Sequence, residues 1–240
     1  GVGQCPSAGK GTIRHGAQVA FRHENGPLSQ TLTGLTVGAD YYLHCYENAR
    51  SVTTVPSLEV QLGGITVVPP HSVPPVRGGA YYEIYGDAFE ATAAELLLSF
   101  IKGAPAGGDC TALIDNVAIV EIPAGTAPFV TRNPVSTTVS VGDTASFSVQ
   151  GIGSLPLAYQ WLKNGEEIAG ATAATLTLSN VQKGDEAAYS ARVSNSVGPV
   201  TSAAATLEVF EPIPDLYSTG LDNARAPLAD GAVDPHYTLV

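Results

Sequence analysis

The chain has 240 residues and a formal net charge of −11, and it contains no cluster of lysine or arginine. A nucleic acid or an anionic membrane surface is therefore excluded as its electrostatic partner, and no apolar run is long enough to cross a bilayer. Glycine and proline are abundant, at 26 and 17 residues, and only 14% of the residues are charged, which is typical of short strands joined by tight turns.

Residues 1–125 contain strand-length segments bounded by turn residues, and this length suffices for one domain with its own core. Residues 92–103 also fit a helix, because Thr92 and Glu95 have capping-box spacing and leucine favours helices. However, Leu96, Leu98 and Phe100 also have the two-residue spacing of a strand, and the segment lies between two predicted strands. We therefore predict a strand in this position.

The segments at residues 28–43 (LSQTLTGLTVGADYYL) and 110–119 (CTALIDNVAI) carry a resemblance that covers residues 12–120. Their order resembles carbohydrate-binding jelly rolls of the galactose-binding-like kind. The resemblance implies a β-sandwich that binds glycans, and a calcium ion held by Asp115 together with an acidic residue of the first strand. The usual opening strand of that family is absent from this sequence, so the alternative for Asp115 is a carboxylate at the surface or in a turn.

The tyrosines of the first domain are the candidate ligand-binding residues. Alternation places Tyr42, His44 and Tyr46 on one face of a strand, and the resemblance directs the opposite face, with Tyr41, Leu43 and Cys45, into the core. The candidates for an exposed aromatic patch that would stack on a glycan are Tyr42, Tyr46, Tyr81, Tyr82 and Tyr85. The alternative is that these tyrosines are simply favoured by half-buried strand positions.

A second set of strand-length segments spans residues 126–210. Trp161, which follows a strand ending in Val149, and the stretch 185–189 (DEAAY) resemble the intermediate set of immunoglobulin-like domains. The resemblance implies that Trp161 lies in the core and that Asp185 and Tyr189 form a tyrosine corner. It also assigns the two bridging cysteines of the family to Val149 and Ala191, so that an apolar pair replaces the disulfide here.

Residues 211–240 follow a proline-marked linker and are too short and polar to bury a core of their own. They resemble the start of a further module found after such domains in large bacterial surface proteins. We expect this tail to dock head-to-tail on the first domain of another copy by adding a strand to an open edge, which would build a filament. The alternative is a fragment of a longer protein cut at a domain boundary.

The sequence predicts an all-β protein with two β-sandwich domains in tandem, a jelly roll and then an immunoglobulin-like domain, plus an extended tail. We predict that it is not an enzyme and needs no cofactor, because GxSxG, HExxH and phosphate-loop motifs are missing. Two non-catalytic functions remain. The favoured one is a structural or adhesive unit of a bacterial extracellular or cell-surface filament, and the alternative is a glycan-binding accessory segment of a larger secreted carbohydrate-active enzyme. Exposed tyrosines grouped over a groove would favour the second.

Overall fold

The computed structural model describes residues 19–20, 27–49, 55–75, 81–103 and 112–211. Within these ranges every regular element is a β-strand except for a short 3-10 turn at Lys183–Asp185, so the all-β prediction is confirmed. The ambiguous segment forms a strand over Glu95–Gly103. Leu98 and Phe100, two residues apart, both point into the hydrophobic core of the first domain. No helix in these ranges is long and apolar enough to span a membrane.

The first sandwich consists of two antiparallel sheets that enclose one core. Its strands are β1 (Val19–Ala20), β2 (Leu28–Thr33), β3 (Asp40–Ala49), β4 (Ser57–Leu62), β5 (Ile65–Ser72), β6 (Tyr82–Tyr85), β7 (Phe89–Glu90), β8 (Glu95–Gly103) and β9 (Ala112–Ile122). Five strands form one sheet in the order β1-β9-β3-β6, with β7 also paired to β3, and the other sheet has the order β2-β8-β4-β5. Leu43 and Cys45 of β3 pack against Val60 of β4 and Phe100 of β8, so the core lies between the sheets.

The second sandwich follows a short connection after β9. Its strands are β10 (Phe129–Arg132), β11 (Thr137–Ser140), β12 (Ala145–Ser148), β13 (Gln150–Ile152), β14 (Ala158–Lys163), β15 (Glu166–Glu167), β16 (Thr175–Leu178), β17 (Ala187–Ser194), β18 (Pro199–Thr201) and β19 (Ala205–Phe210). The larger sheet has the order β11-β19-β17-β14-β15, with β18 also paired to β17. Opposite it lie the ladders β10-β13 and β12-β16, and the tandem arrangement of two sandwiches matches the predicted fold class.

Aromatic packing holds the core of the second sandwich. Trp161 is fully buried, and its indole nitrogen donates a hydrogen bond to the Ala173 carbonyl at 2.9 Å. The ring of Phe147 stacks on Tyr189 with centroids 5.1 Å apart and lies 6.3 Å from the ring of Trp161. These contacts are the kind of buried aromatic packing that contributes beyond the area removed from water.

Tyr189 and Asp185 meet at the end of the turn that leads into β17. The Tyr189 hydroxyl donates to the Asp185 backbone carbonyl at 2.8 Å, and an Asp185 carboxylate oxygen accepts from the Gln182 backbone at 3.0 Å. That backbone hydrogen bond lowers the pKa of Asp185. Val149 and Ala191, at the positions where the family has its cysteines, are 3% and 0% exposed, so both are part of the apolar core.

The connection between the sandwiches is held by hydrogen bonds. The Ser154 backbone N–H donates to the Thr126 carbonyl at 3.1 Å. The Asn195 side-chain amide donates to the Thr126 carbonyl at 2.8 Å and to the Ser154 carbonyl at 3.0 Å. The backbone of Leu155, in the same loop as Ser154, donates to the Asp40 carboxylate of the first sandwich at 2.8 Å. The second sandwich therefore contacts the first directly.

Several sequence-based expectations fall outside the described residues. The predicted docking tail at 211–240 is described only at Glu211. The sequence leaves open whether Cys5 pairs with Cys110 or with another subunit, and both residues lie outside the described ranges. Cys45 is a free, buried thiol, and burial raises its pKa to about 12. The predicted boundary at residues 125–126 falls between the end of β9 and the start of β10.

Candidate ligand-binding face of the first sandwich

The outward side of β3 presents a row of half-buried side chains. Tyr41, Leu43 and Cys45 are at most 5% exposed, whereas Tyr42, His44 and Tyr46 between them are half-buried on the opposite face. This two-residue period is the alternation that the sequence predicts for a strand with one face on the core. The row therefore lies on the outside of the five-stranded sheet.

Strand β6 adds two further side chains to this row because it pairs with β3 in antiparallel register. Tyr85 lies opposite His44, and Glu83 lies opposite Tyr46. The Tyr85 ring lies 4.8 Å from that of His44 and 6.1 Å from that of Tyr42, tilted by 30° and 32°. The His44 ring meets Tyr46 edge-on at 5.2 Å. We call Tyr42, His44, Tyr46, Glu83 and Tyr85 the aromatic face.

Glu83 is the polar centre of the aromatic face. Its Oε1 lies 2.8 Å from His44 Nε2 and accepts from the hydroxyls of Tyr85 and Tyr46 at 2.9 and 3.4 Å. A carboxylate accepts hydrogen bonds only, so Nε2 of His44 carries the hydrogen in this contact. Within the described residues, Oε2 has no hydrogen-bond partner, and the side chain is 46% exposed. That oxygen is available to a donor on a ligand.

The ionisation of the aromatic face follows from these contacts. The hydrogen bond from His44, with a second from Tyr85, lowers the pKa of Glu83, so the group is a carboxylate at neutral pH. Burial and the hydrogen bond to Glu83 raise the pKa of Tyr85 to about 12. The charge of Glu83 likewise raises the pKa of Tyr46. Both phenols therefore remain protonated donors, and the face carries one negative charge and three aromatic rings besides His44.

Three of the five tyrosines expected to form a patch come together, and two do not. Tyr42, Tyr46 and Tyr85 belong to the aromatic face. Tyr82 is 45% exposed but points away from it, because successive residues of β6 alternate between the two sides of the sheet. Tyr81 is 37% exposed and precedes the strand. The structure therefore groups three of the five candidates, and a ligand-binding role for the tyrosines stays a prediction.

Two members of the aromatic face, His44 and Glu83, were not candidates from the sequence. The spacing Tyr42-x-His44-x-Tyr46 already places His44 on the same side as the tyrosines. Glu83 shares a side with Tyr85 in the same way, but its approach to His44 depends on the pairing of β3 with β6. A sequence does not reveal that register, so only the pairing identifies the cluster.

Asp115 lies on β9 opposite Tyr46, where the register of the β3-β9 pair shifts. Its Oδ1 accepts from the backbone of Asn116 at 2.7 Å, and Asn116 has a positive φ of 50°. This geometry is that of a carboxylate at a β-bulge within strand β9. In the described ranges no group of three or more His, Cys, Asp or Glu is arranged to hold a metal ion. Calcium at Asp115 stays a prediction.

Comparison with known proteins finds a family match over the second sandwich. The immunoglobulin I-set domain matches residues 128–209. Endoglucanase C of Cellulomonas fimi is 35% identical over 96 residues, which cover 38% of this chain and 9% of that protein. The chain thus spans less than a tenth of the length of the curated relative it matches.

Solved immunoglobulin domains also resemble part of the chain. A titin M10 and obscurin-like 1 immunoglobulin complex is 28% identical and covers 37% of this chain and 99% of its own, with a TM-score of 0.34. Tandem immunoglobulin repeats of Dlar are 19% identical and cover 79% of this chain and 100% of their own, with a TM-score of 0.35. Residues 128–209 match the I-set family, whereas the aromatic face lies outside that match.

Proposed function

We propose that this chain is a non-catalytic, glycan-binding segment of a larger secreted protein, and that the aromatic face holds the glycan. The observation that carries the proposal is the grouping of Tyr42, His44, Tyr46 and Tyr85 around one exposed carboxylate on an outward sheet face. The similarity to an endoglucanase supports a glucan as the class of ligand and an extracellular location.

The chemistry of the aromatic face suits a carbohydrate. A sugar ring presents C–H groups, which pack on aromatic rings, and hydroxyl groups, which seek polar partners. The tilted rings of Tyr42 and Tyr85 offer the first kind of contact. Oε2 of Glu83, which has no hydrogen-bond partner among the described residues, offers the second. The formal charge of −11 and the ionised Glu83 repel polyanions, so we expect a neutral glycan.

The same residues argue against hydrolysis at this face. A glycosidase needs a general acid whose pKa is raised, facing a second carboxylate across the bond that breaks. The pKa of Glu83 is lowered instead, because His44 and the tyrosine hydroxyls stabilise its charged form. The aromatic face therefore has the properties of a binding surface rather than of an acid catalyst.

The test is binding of hydroxyethylcellulose, a soluble neutral glucan, measured by affinity electrophoresis and calorimetry. Tyr85→Ala removes the central ring, and we expect it to weaken binding by about tenfold or more, equivalent to about 1.4 kcal/mol. Tyr82→Ala is the matched control, because Tyr82 lies on the same strand and points to the other side. We expect it to bind as the unaltered protein does.

Three outcomes would count against the proposal. These are failure of the unaltered protein to bind hydroxyethylcellulose, equal effects of the two tyrosine substitutions, and tighter binding of a polyanion such as polygalacturonate. The first outcome would reject this glucan class at the aromatic face. The second would show that ring removal acts through the fold, and the third would contradict the argument from charge.

A further inference from the structure

A buried amide of the second sandwich reaches into the first. Gln150 of β13 is 6% exposed, and its Nε2 donates to the Tyr85 carbonyl at 2.9 Å and to an Asp87 carboxylate oxygen at 2.8 Å. Its Oε1 accepts from the Thr131 hydroxyl at 3.2 Å. A side-chain amide has two N–H donors and one acceptor oxygen. Both N–H groups of Gln150 therefore bond the first sandwich, its oxygen bonds Thr131, and these contacts fix the orientation of the amide.

The segment that Gln150 binds is also tied to both sheets of the first sandwich. The Gly86 backbone donates to the Leu43 carbonyl of β3 at 2.8 Å, and the Asp87 backbone donates to the Val67 carbonyl of β5 at 2.7 Å. A side chain at Gly86 would be crowded, because a Cβ there would lie 3.0 Å from the Leu43 Cβ and 3.3 Å from the Val67 carbonyl oxygen. The backbone that carries the Tyr85 ring is therefore closely held from three directions.

We infer that Gln150 is a positioning residue for the aromatic face, through which the I-set domain sets the orientation of Tyr85. Tyr85 contacts Tyr42, His44 and Glu83, so a displacement of its backbone is transmitted to the whole face. Loss of the amide leaves the Asp87 carboxylate and the Tyr85 carbonyl without their donor, and such groups move to find another. The second sandwich then helps to position the aromatic face instead of only separating the first sandwich from other parts of the protein.

The first measurement needs no ligand. In the intact 240-residue protein, Gln150→Leu is expected to shift the NMR signals of the His44 and Tyr85 rings. Gln160→Leu is the matched control, because the Gln160 amide also donates twice, to the carbonyls of Trp161 and Ile168 within the second sandwich. We expect the control to leave both ring signals unchanged. Unchanged signals in folded Gln150→Leu would overturn the inference.

A second pair of variants keeps the test valid if Gln150→Leu does not fold. Gln150→Glu places a carboxylate against Asp87, and we expect shifted His44 and Tyr85 signals from the repulsion. Adding Asp87→Asn restores a donor and acceptor pair between the two positions, with the roles exchanged. Partial return of the signals in the double variant supports the inference, and absence of any return contradicts it.

The affinity measurement rests on the proposed function and is kept separate from the ring signals. We expect Gln150→Leu to weaken binding of hydroxyethylcellulose by about five- to tenfold and Gln160→Leu to leave it unchanged. If the unaltered protein binds no hydroxyethylcellulose while the ring signals still respond to Gln150→Leu, the glucan proposal fails and the positioning role stands. If binding is present but neither signals nor affinity respond, the positioning role fails alone.

Discussion

Lys102 is a charged residue in a core position of the first sandwich. It follows Leu98 and Phe100 on the inward side of β8 and is 6% exposed. Within the described ranges its ammonium nitrogen is buried without a hydrogen-bond partner. Removal of an ammonium from water is costly unless a partner compensates it, so this residue lowers the stability of the domain.

We predict that Lys102→Met raises the free energy of unfolding by about 1–3 kcal/mol, because methionine fills a similar volume without the buried charge. Urea denaturation of the two proteins measures the difference. Lys163→Met is the matched control, since the Lys163 ammonium is partly exposed and bonds the Gly184 carbonyl and Asp185. The control is expected to be slightly less stable than the unaltered protein, and a destabilised Lys102→Met would refute the prediction.

At the scale of elements, a carboxylate and a histidine connect the two sheets of the first sandwich. Glu47 of β3 is 1% exposed, and both its oxygens lie within 3.0 Å of Nε2 of His71 on β5. The other ring nitrogen of His71 lies 3.0 Å from the Pro69 carbonyl oxygen. Both ring nitrogens of His71 face acceptors, so each must carry a hydrogen to make a hydrogen bond. An imidazole ring with both hydrogens is positively charged.

The hydrogen bond to Glu47 raises the pKa of His71, and a pH dependence of stability follows. In the unfolded chain histidine titrates at about pH 6.5, below the pKa of His71 in the folded protein. The contribution of the pair is therefore fully present below about pH 6.5 and is lost as pH rises through the folded pKa. We predict faster amide hydrogen exchange in β3 and β5 over that window, after correction for the intrinsic exchange rate.

Two variants test the assignment of this pH dependence to His71. His71→Gln keeps a donor for Glu47 but does not titrate, so its corrected exchange should lose the dependence. His44→Gln alters a histidine on the outside of the sheet that carries Glu47, and this variant should retain the pH dependence. A dependence that persists in His71→Gln would show that another group is responsible.

At the scale of the whole molecule, self-association is the prediction that the described residues leave untested. Within the described ranges, β1 and β6 are the outer strands of one sheet, and β2 and β5 are those of the other. Outer strands present unpaired backbone groups on which another strand can dock. Among these outer strands, β6 also carries Glu83 and Tyr85 of the aromatic face, so a tail that docked there would lie beside the proposed glycan-binding surface.

We predict that the intact chain forms head-to-tail filaments with a repeat of about two domains and that deletion of residues 211–240 leaves monomers. Negative-stain electron microscopy of undiluted protein distinguishes these states. A chain with the same tail composition in scrambled order controls for length and charge. Filaments that survive the deletion, or dispersed particles from the intact chain, would reject docking by the tail.

Local patterns explain which parts of this structure were predictable. The period of two in residues 41–46 separated the two faces of β3, and the resemblance predicted which of them faces outward. Alternation also predicted that residues 95–103 form a strand. The resemblance around Trp161 and residues 185–189 predicted the immunoglobulin-like sandwich that the I-set match supports. Each of these inferences depends on neighbours within a few residues or on a short motif, which a single sequence contains.

The sequence by itself determined the all-β architecture, the presence of two sandwiches in tandem and the separation of Tyr42 and Tyr46 from Tyr41 on opposite faces of a strand, because alternation and turn residues act locally. Only the tertiary structure decided that Glu83 and Tyr85 meet His44, and that Gln150 binds the backbone of Tyr85. The first depends on strand register and the second on how two domains dock. Both contacts join residues that are far apart in the chain, and local sequence patterns do not reveal which distant residues meet.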